Sequence, residues 1–383
     1  MRSVLCIVLA ATAACGTDPT GGDDDIPASC GNGTPDTGEQ CDDGNDNRFD
    51  GCRPDCTSVD PIMPTAMTWQ YFEIPGTKCL DGTPAGFSVN LNPASTKLLV
   101  YLEGGGACFN SYCESLFTKS SNQPGAGGIF DRGNAANPLR DFTWVYVPYC
   151  SGDVYGGEAQ TMLGGKLRNF YGYSNFTAFL ERWVPSLHAD QVLLTGSSAG
   201  GFGAAVNFAQ TQRAFGSTPV VLIDDSGPPM SADVYPPCLQ TLWKTVWGLD
   251  KTVLKECGAD CPNAETFVQD TFEHTRKVFP DMHGGLFSST GDQTIRTFAG
   301  YGWSGGYNMC KEIPNAVTTT VYTAGLNELR TKVMGSGFGT YFITGSSHTI
   351  LRTSNYYSTS VGNMTVAQWV GATLDGNSAN VGP

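Results

Sequence analysis

The stretch 192–208, VLLTGSSAGGFGAAVNF, constrains this chain more than any other. A short apolar run ends in Gly196-Ser197-Ser198-Ala199-Gly200, and a small-residue helical pattern follows at once. That order matches G-x-S-x-G, in which a buried strand turns sharply into a helix and leaves the central serine exposed on a strained turn. Ser198 is therefore a candidate nucleophile. The N–H of Ala199, at the start of the helix, points toward any negative charge that forms beside it. A glycine-rich strand-to-helix turn without chemistry would read the same way, so the rest of the chain has to decide.

The remaining apolar runs predict strands at 68–74, 86–91, 97–102, 142–147, 191–195, 219–223, 317–323 and 340–344. Helical patterns fall at 175–187, 199–215, 265–279 and 366–374. Near-continuous apolar strands alternating with helices imply an α/β class, a mostly parallel sheet covered on both faces. Eight strands with the elbow after the fifth is the plan of the α/β-hydrolase fold. In this reading 235–313 is a long insertion between strands six and seven. It is rich in Trp, Phe, Gly and Cys and is expected to cap the site.

The N-terminus has a different character. Met1–Cys15 carries one arginine, then an apolar run too short to span a bilayer, then small residues, which reads as a secretory signal. Thr12-Ala13-Ala14-Cys15 resembles a bacterial lipobox with Cys15 as the lipidated residue, although Thr12 stands where leucine is usual. Residues 16–29 hold almost nothing to bury and read as an acidic, flexible tether. Between Gly16 and Asp60 there are 12 acidic residues against Arg48 and Arg53, whereas from Pro61 onward 24 acids face 19 bases. This asymmetry sets a boundary near residue 60 and divides the chain into a small module, 30–60, and a large domain, 61–383. The formal net charge of −14 excludes nucleic acid as a partner.

Of 14 cysteines, Cys6 and Cys15 belong to the leader, which leaves 12, an even number suited to disulfides in an exported chain. Cys30, Cys41, Cys52 and Cys56 lie in CGNGTPDTGEQCDDGNDNRFDGCRPDC, which resembles a short cysteine-rich repeat of exported bacterial proteins. So few apolar residues need two disulfides to hold a fold. Asp42, Asp43, Asn45, Asp46 and Asp50 lack the EF-hand spacing and read first as a solvated acidic loop, with calcium as the alternative. Four histidines are too few and too scattered for a metal centre, and no cofactor is implied.

Within the large domain, the third strand runs into Glu103-Gly104-Gly105-Gly106-Ala107-Cys108. In the α/β-hydrolase plan an oxyanion hole forms from this loop and the N–H after the nucleophile. Only His348 follows the last predicted strand, where the plan places its general base. His188 precedes the fifth strand, and His274 and His283 fall in the expected cap.

LEGGGACFNSYC, VPYCSGDVYGG, LLTGSSAGG, DDSGPP and SSHTI, in that order, resemble the pectin acetylesterase family over residues 68–351. The resemblance implies a hydrolase that removes acyl groups from hydroxyls, either acetyl from pectin or a fatty acyl group from a protein serine. It puts the nucleophile on Ser198, the base on His348 and the oxyanion donors on Gly105, Gly106 and Ala199. It also suggests that Cys108 pairs with Cys113, after which Cys79 with Cys150 follows and the last four cysteines staple the cap. The family aspartate after the seventh strand falls on Asn327, with Glu328 beside it. Glu328 is the preferred acid, Asp225 the second candidate, and an impaired relay through Asn327 the third.

The implied activity is an exported serine esterase, anchored at the bacterial cell surface through an outer-membrane lipid or released, that deacetylates a polysaccharide such as pectin. Two alternatives stand beside it: a carbohydrate-binding lipoprotein with lost turnover, favoured by the missing aspartate, and a lipid or polyester esterase, favoured by an apolar cap. Phe109, Tyr112, Tyr155, Trp243, Trp247, Tyr301, Trp303 and Tyr307 are expected near the pocket rim. Oligomeric state is not legible.

Overall fold

A computed structural model describes residues 30–111, 113, 122–263 and 265–383. The signal, Cys15 and tether readings, and Tyr112, lie outside the described residues. The described residues divide into two compact units, one containing 30–47 with Cys52–Ser58, the other Arg48–Gly51 with Val59–Pro383.

The small unit is held by Cys30–Cys56 and Cys41–Cys52. Asp42 organises its turns: its two oxygens accept from the backbone N–H groups of Gly31, Asn32, Gly33 and Gly44 at 2.9–3.2 Å. Desolvation opposes ionisation here, yet the four donors together hold the Asp42 carboxyl below its ordinary range.

The large unit is an α/β-hydrolase fold. Its strands are β1 (Trp69–Glu73), β2 (Gly86–Asn90), β3 (Lys97–Leu102), β4 (Thr143–Val147), the hairpin β5 (Ala159–Leu163) and β6 (Lys166–Phe170), β7 (Gln191–Ser197), β8 (Val220–Asp225), β9 (His283–Ser289), β10 (Phe338–Ile343), the short pair β11 (Ser360–Val361) and β12 (Met364–Thr365), and β13 (Asn380–Val381). Nine of them form one sheet in the order β1-β2-β4-β3-β7-β8-β9-β10-β13. The β1–β2 and β2–β4 pairs are antiparallel and the rest parallel. The helices are α1 (Gly172–Trp183), α2 (Ala199–Val206), α3 (Phe208–Phe215), α4 (Pro237–Trp247), α5 (Val253–Cys257), α6 (Phe267–Val278), α7 (Gln293–Ala299), α8 (Thr319–Glu328) and α9 (Val366–Leu374).

Strand alternation divides the core in two. On β3, Leu98, Val100 and Leu102 enter one apolar cluster with Phe176 and Trp183 of α1, while Leu99 and Tyr101 enter a second with Trp369 of α9. A strand buried on both faces cannot alternate polar and apolar, which is why KLLVYL reads as a continuous run.

Three expectations are corrected. The segment 317–323 is not the seventh strand. Its β-branched run is the start of α8, whose first turn is capped by the Thr318 hydroxyl accepting from Val321 N, with Tyr322 and Leu326 buried four residues apart. The seventh strand of the hydrolase plan is β9, HGGLFSS, inside the segment expected to be cap. Its glycines lower strand propensity, but they are demanded by packing: a Cβ on Gly284 would stand 1.9 Å from Leu222 O of the neighbouring β8. The insertion after β8 is therefore 226–282 rather than 235–313. The helix expected at 199–215 is also interrupted, because Asn207 ends α2 and begins α3 with its Nδ2 donating to Gly203 O and Tyr155 O.

Candidate active site

The candidate site residues follow the C-terminal ends of β3, β7, β8, β9 and β10. β7 stops at Ser197, Ser198 takes φ 61° and ψ −123°, and α2 begins at Ala199. A non-glycine residue in that region costs roughly 1–3 kcal/mol and persists only where its surroundings impose it. Here they do: Ser198 N donates to Asp225 O at 2.7 Å, and the Ser198 carbonyl accepts from Gly201 N and Phe202 N.

The loop after β3 touches the elbow. A Cβ on Gly104 would lie 2.2 Å from Ser197 O and 2.9 Å from Ser198 Cβ, so only glycine allows the approach. The loop is fastened by the Cys108–Cys113 disulfide, by Trp247 Nε1 donating to Cys108 O at 2.7 Å and by Tyr155 Oη donating to Glu103 O at 2.8 Å. Gly106 and Ala107 line the pocket beside Ser198 and Ala199, whereas Gly105 is exposed.

His348 follows β10, and its Nδ1 stands 2.8 Å from Oδ2 of Asp292. Asp292 lies three residues beyond β9 and is fully buried. Its other oxygen caps α7, accepting from Thr294 N at 2.9 Å and Ile295 N at 3.0 Å. The buried charge is thus compensated by two backbone donors and the imidazole. With Nδ1–H donated to the carboxylate, Nε2 is the acceptor, and it is buried without a hydrogen-bond partner.

The three candidate acids lie elsewhere. Glu328, on α8, accepts from Ser231 Oγ at 3.1 Å and pairs with Lys332 at 3.4 Å. Asn327 is exposed on the same helix. Asp225 is a brace: it accepts from Ser197 Oγ at 2.6 Å, from Ile350 N at 3.0 Å and from Leu351 N at 3.0 Å, joining the elbow to the histidine loop. Burial pushes its carboxyl up, and those donors with His348 oppose the shift. The carboxylate beside the histidine was missed because β9 was read as cap, which moved the position after the seventh strand by a whole element. The available signal was Asp292 itself, an N-cap residue directly before the apolar-periodic QTIRTFA.

Beside Ser198 opens a pocket with about 1170 Å³ of space free of protein atoms, its mouth included. Phe202, Trp243, Trp247, Phe267, Phe272 and Phe298 are among its walls. Of the expected rim aromatics, Trp243 and Trp247 line it; Phe109 packs behind them at 6.0 and 6.3 Å, and Tyr301 packs on Phe109 at 5.2 Å. Trp303 and Tyr307 contact each other instead. Cys79–Cys150, Cys238–Cys310 and Cys257–Cys261 complete the disulfides of this unit.

The Pectinacetylesterase family model matches residues 65–287. The chain belongs to that family. A palmitoleoyl-protein carboxylesterase NOTUM of Schmidtea mediterranea is 30% identical over 167 residues, covering 38% of this chain and 31% of the relative. An inactive palmitoleoyl-protein carboxylesterase notum1b of Danio rerio is 36% identical over 103 residues, covering 24% of this chain and 74% of that one. The chain thus spans about a third of the length of the planarian relative. Among solved structures, the Wnt deacylase Notum from Drosophila superposes with TM-score 0.61 at 18% identity, over 81% of this chain and 95% of that one, a likeness of fold.

Proposed function

We propose that this pectinacetylesterase-family protein is an exported serine carboxylesterase that cleaves esters of acyl chains longer than acetyl. In this reading Ser198 Oγ attacks the ester carbonyl while His348 Nε2 takes its proton. The same proton then passes to the departing alcohol oxygen, leaving an acyl-enzyme that water hydrolyses by the reverse sequence. Asp292 holds Nδ1–H and stabilises the imidazolium. Backbone N–H groups of Ala199 and of the Gly105–Gly106 segment receive the oxyanion.

The observation that carries the reading is the buried Asp292–His348 pair with Nε2 unpartnered, on loops after β9 and β10 of the sheet whose β7 ends in a strained elbow serine. The same pair supports turnover over a binding protein, since the missing carboxylate that favoured the latter has a counterpart in Asp292. The acyl preference rests on the aromatic and aliphatic pocket beside Ser198. Deacetylation of a polysaccharide is the second reading, favoured by the family that the chain matches. Export is supported by six disulfides, which persist in oxidising compartments.

The test is kcat/KM on p-nitrophenyl acetate, butyrate and octanoate. A value rising toward octanoate supports the long-acyl reading. A maximum at acetate with steep loss beyond it supports the polysaccharide reading, and no turnover of any ester refutes both.

A further inference from the structure

Three turns of chain meet at the candidate site, and each pair of them is tied. The elbow and the loop after β3 meet at Gly104, where a Cβ would stand 2.2 Å from Ser197 O. The elbow and the loop after β10 are joined by Asp225, which accepts from Ser197 Oγ, Ile350 N and Leu351 N. The loop after β3 and the loop after β10 are tied by two side chains, with Arg352 Nη1 3.3 Å from Glu103 Oε1. Glu103 directly precedes the glycine run of the first loop, and Arg352 lies four residues after His348 in the second.

The other polar atoms of Glu103 face one way. Its N–H donates to Val147 O at 3.0 Å, its carbonyl accepts from Tyr155 Oη at 2.8 Å, and its Oε2 accepts from Tyr149 N at 3.1 Å. All three contacts reach the segment that leaves β4, so it is Oε1 that carries Glu103 across to the histidine loop. Arg352 is held from behind. Its guanidinium carbon lies 6.0 Å from the Tyr101 ring centre and 5.8 Å from that of Tyr146, two side chains buried on β3 and β4. Its backbone is fixed as well, because Ile129 N donates to Leu351 O at 2.8 Å. The Glu103 side chain is 12% exposed and that of Arg352 34%. A pair so far withdrawn from water keeps more of its attraction than one on the open surface. It also spans 249 residues of chain, so its effect falls on how the two loops sit together.

We propose that Glu103 and Arg352 are positioning residues for ester cleavage. Their ion pair sets the oxyanion donors of the Gly105–Gly106 segment against His348 Nε2, so that both meet one acyl carbonyl. This inference rests on the esterase reading above. Oxyanion donors act within a few tenths of an ångström, and a drift of about 1 Å costs on the order of a hundredfold in rate. Neither Glu103 nor Arg352 is among the residues that line the pocket, so the seat of the acyl chain does not depend on them. Loss of the pair therefore falls on kcat and spares KM.

The experiment measures kcat, KM and melting temperature on the p-nitrophenyl ester that wild type cleaves fastest. The mature enzyme is compared with Glu103→Gln, Arg352→Gln, Arg352→Lys and the variant carrying both Gln substitutions. Each neutral single variant is expected to lose at least about tenfold in kcat, with KM within about threefold of wild type. The double variant is expected to lose no more than the worse single, because the two residues act as one link. Arg352→Lys keeps a cation beside Glu103 and is expected to recover kcat to within about threefold of wild type. Unchanged kcat in the neutral variants, multiplied losses in the double variant, or a loss confined to KM or melting temperature overturns the positioning role and leaves the esterase reading standing. If one neutral variant fails to fold, the other is read against Arg352→Lys by the same criteria. Failure of wild type to cleave any ester refutes the esterase reading and the positioning role together.

Discussion

His348 Nδ1 and Asp292 Oδ2 lie 2.8 Å apart, and the carboxylate that makes this contact also caps helix α7. One side chain thereby fixes both the tautomer of the imidazole and the start of the helix that follows β9. Asp292→Asn keeps much of the cap but loses the charge that stabilises the imidazolium. We expect kcat to fall by roughly 10³- to 10⁴-fold with little loss of folded protein. Glu328→Gln, which touches Ser231 and Lys332, should stay within about twofold of wild type. Steady-state kinetics with melting temperatures for both variants check this pair. A large loss in Glu328→Gln with none in Asp292→Asn would reverse the assignment.

The acyl slot can be shortened from within. Ala205 lines it about seven residues along α2 from the serine, roughly 10 Å at the helical rise. Ala205→Phe should fill the slot beyond that point. The expected result is at least a tenfold loss of kcat/KM on octanoate with acetate changed less than about threefold. Equal losses on both esters would mean that the chain runs elsewhere.

Asp224 stands next to the brace Asp225 and is fully buried, with Oδ1 accepting from Gly227 N at 2.7 Å. Burial, opposed by that bond and reinforced by the Asp225 charge, pushes its carboxyl from 3.8 up to about 8. Between those values the folded protein binds the proton that the unfolded chain releases. The contribution of Asp224 is therefore fully present below about pH 4 and is lost as pH rises through about 8. Asp224→Asn should flatten the alkaline side of a Tm-against-pH curve. An unchanged slope between pH 4 and 8 would contradict this.

The small unit depends on its two disulfides more than the large one depends on its four. The small loops closed by Cys30–Cys56 and Cys41–Cys52 surround few buried apolar side chains, and each bridge stabilises by roughly 2–4 kcal/mol. Brief treatment with reductant should expose the small unit to proteolysis first, with the hydrolase unit persisting. Thiol-alkylation mass spectrometry should find none of these 12 cysteines free in the untreated protein.

Legibility in the sequence followed burial. β3 and β7 are flanked on both faces, so their residues could only be apolar, and their positions in the chain were readable from that alone. The elbow and the glycine loop were readable because tight backbone approach leaves little choice of residue. β9 was not, since the contact that demands Gly284 is with Leu222 O, 62 residues earlier in the chain, and glycine otherwise argues against a strand. α8 hid for the opposite reason: TTTVYT favours a strand locally, and the Thr318 cap with Tyr322 and Leu326 packing overrides it. The one misplaced strand also hid the carboxylate that touches His348. Ser198 and His348 were reachable by order along the chain, whereas Asp292 required knowing which segment pairs with β8.

The central claim is that Ser198 is activated by the Asp292–His348 pair. Labelling the mature protein with an active-site-directed fluorophosphonate and mapping the adduct by peptide mass spectrometry tests it most directly. The account predicts one adduct, on Ser198, forming at least a hundredfold more slowly in His348→Ala and in Asp292→Asn, and absent from Ser198→Ala together with ester turnover. An adduct on another residue, or full turnover retained by a folded Ser198→Ala variant, would contradict it.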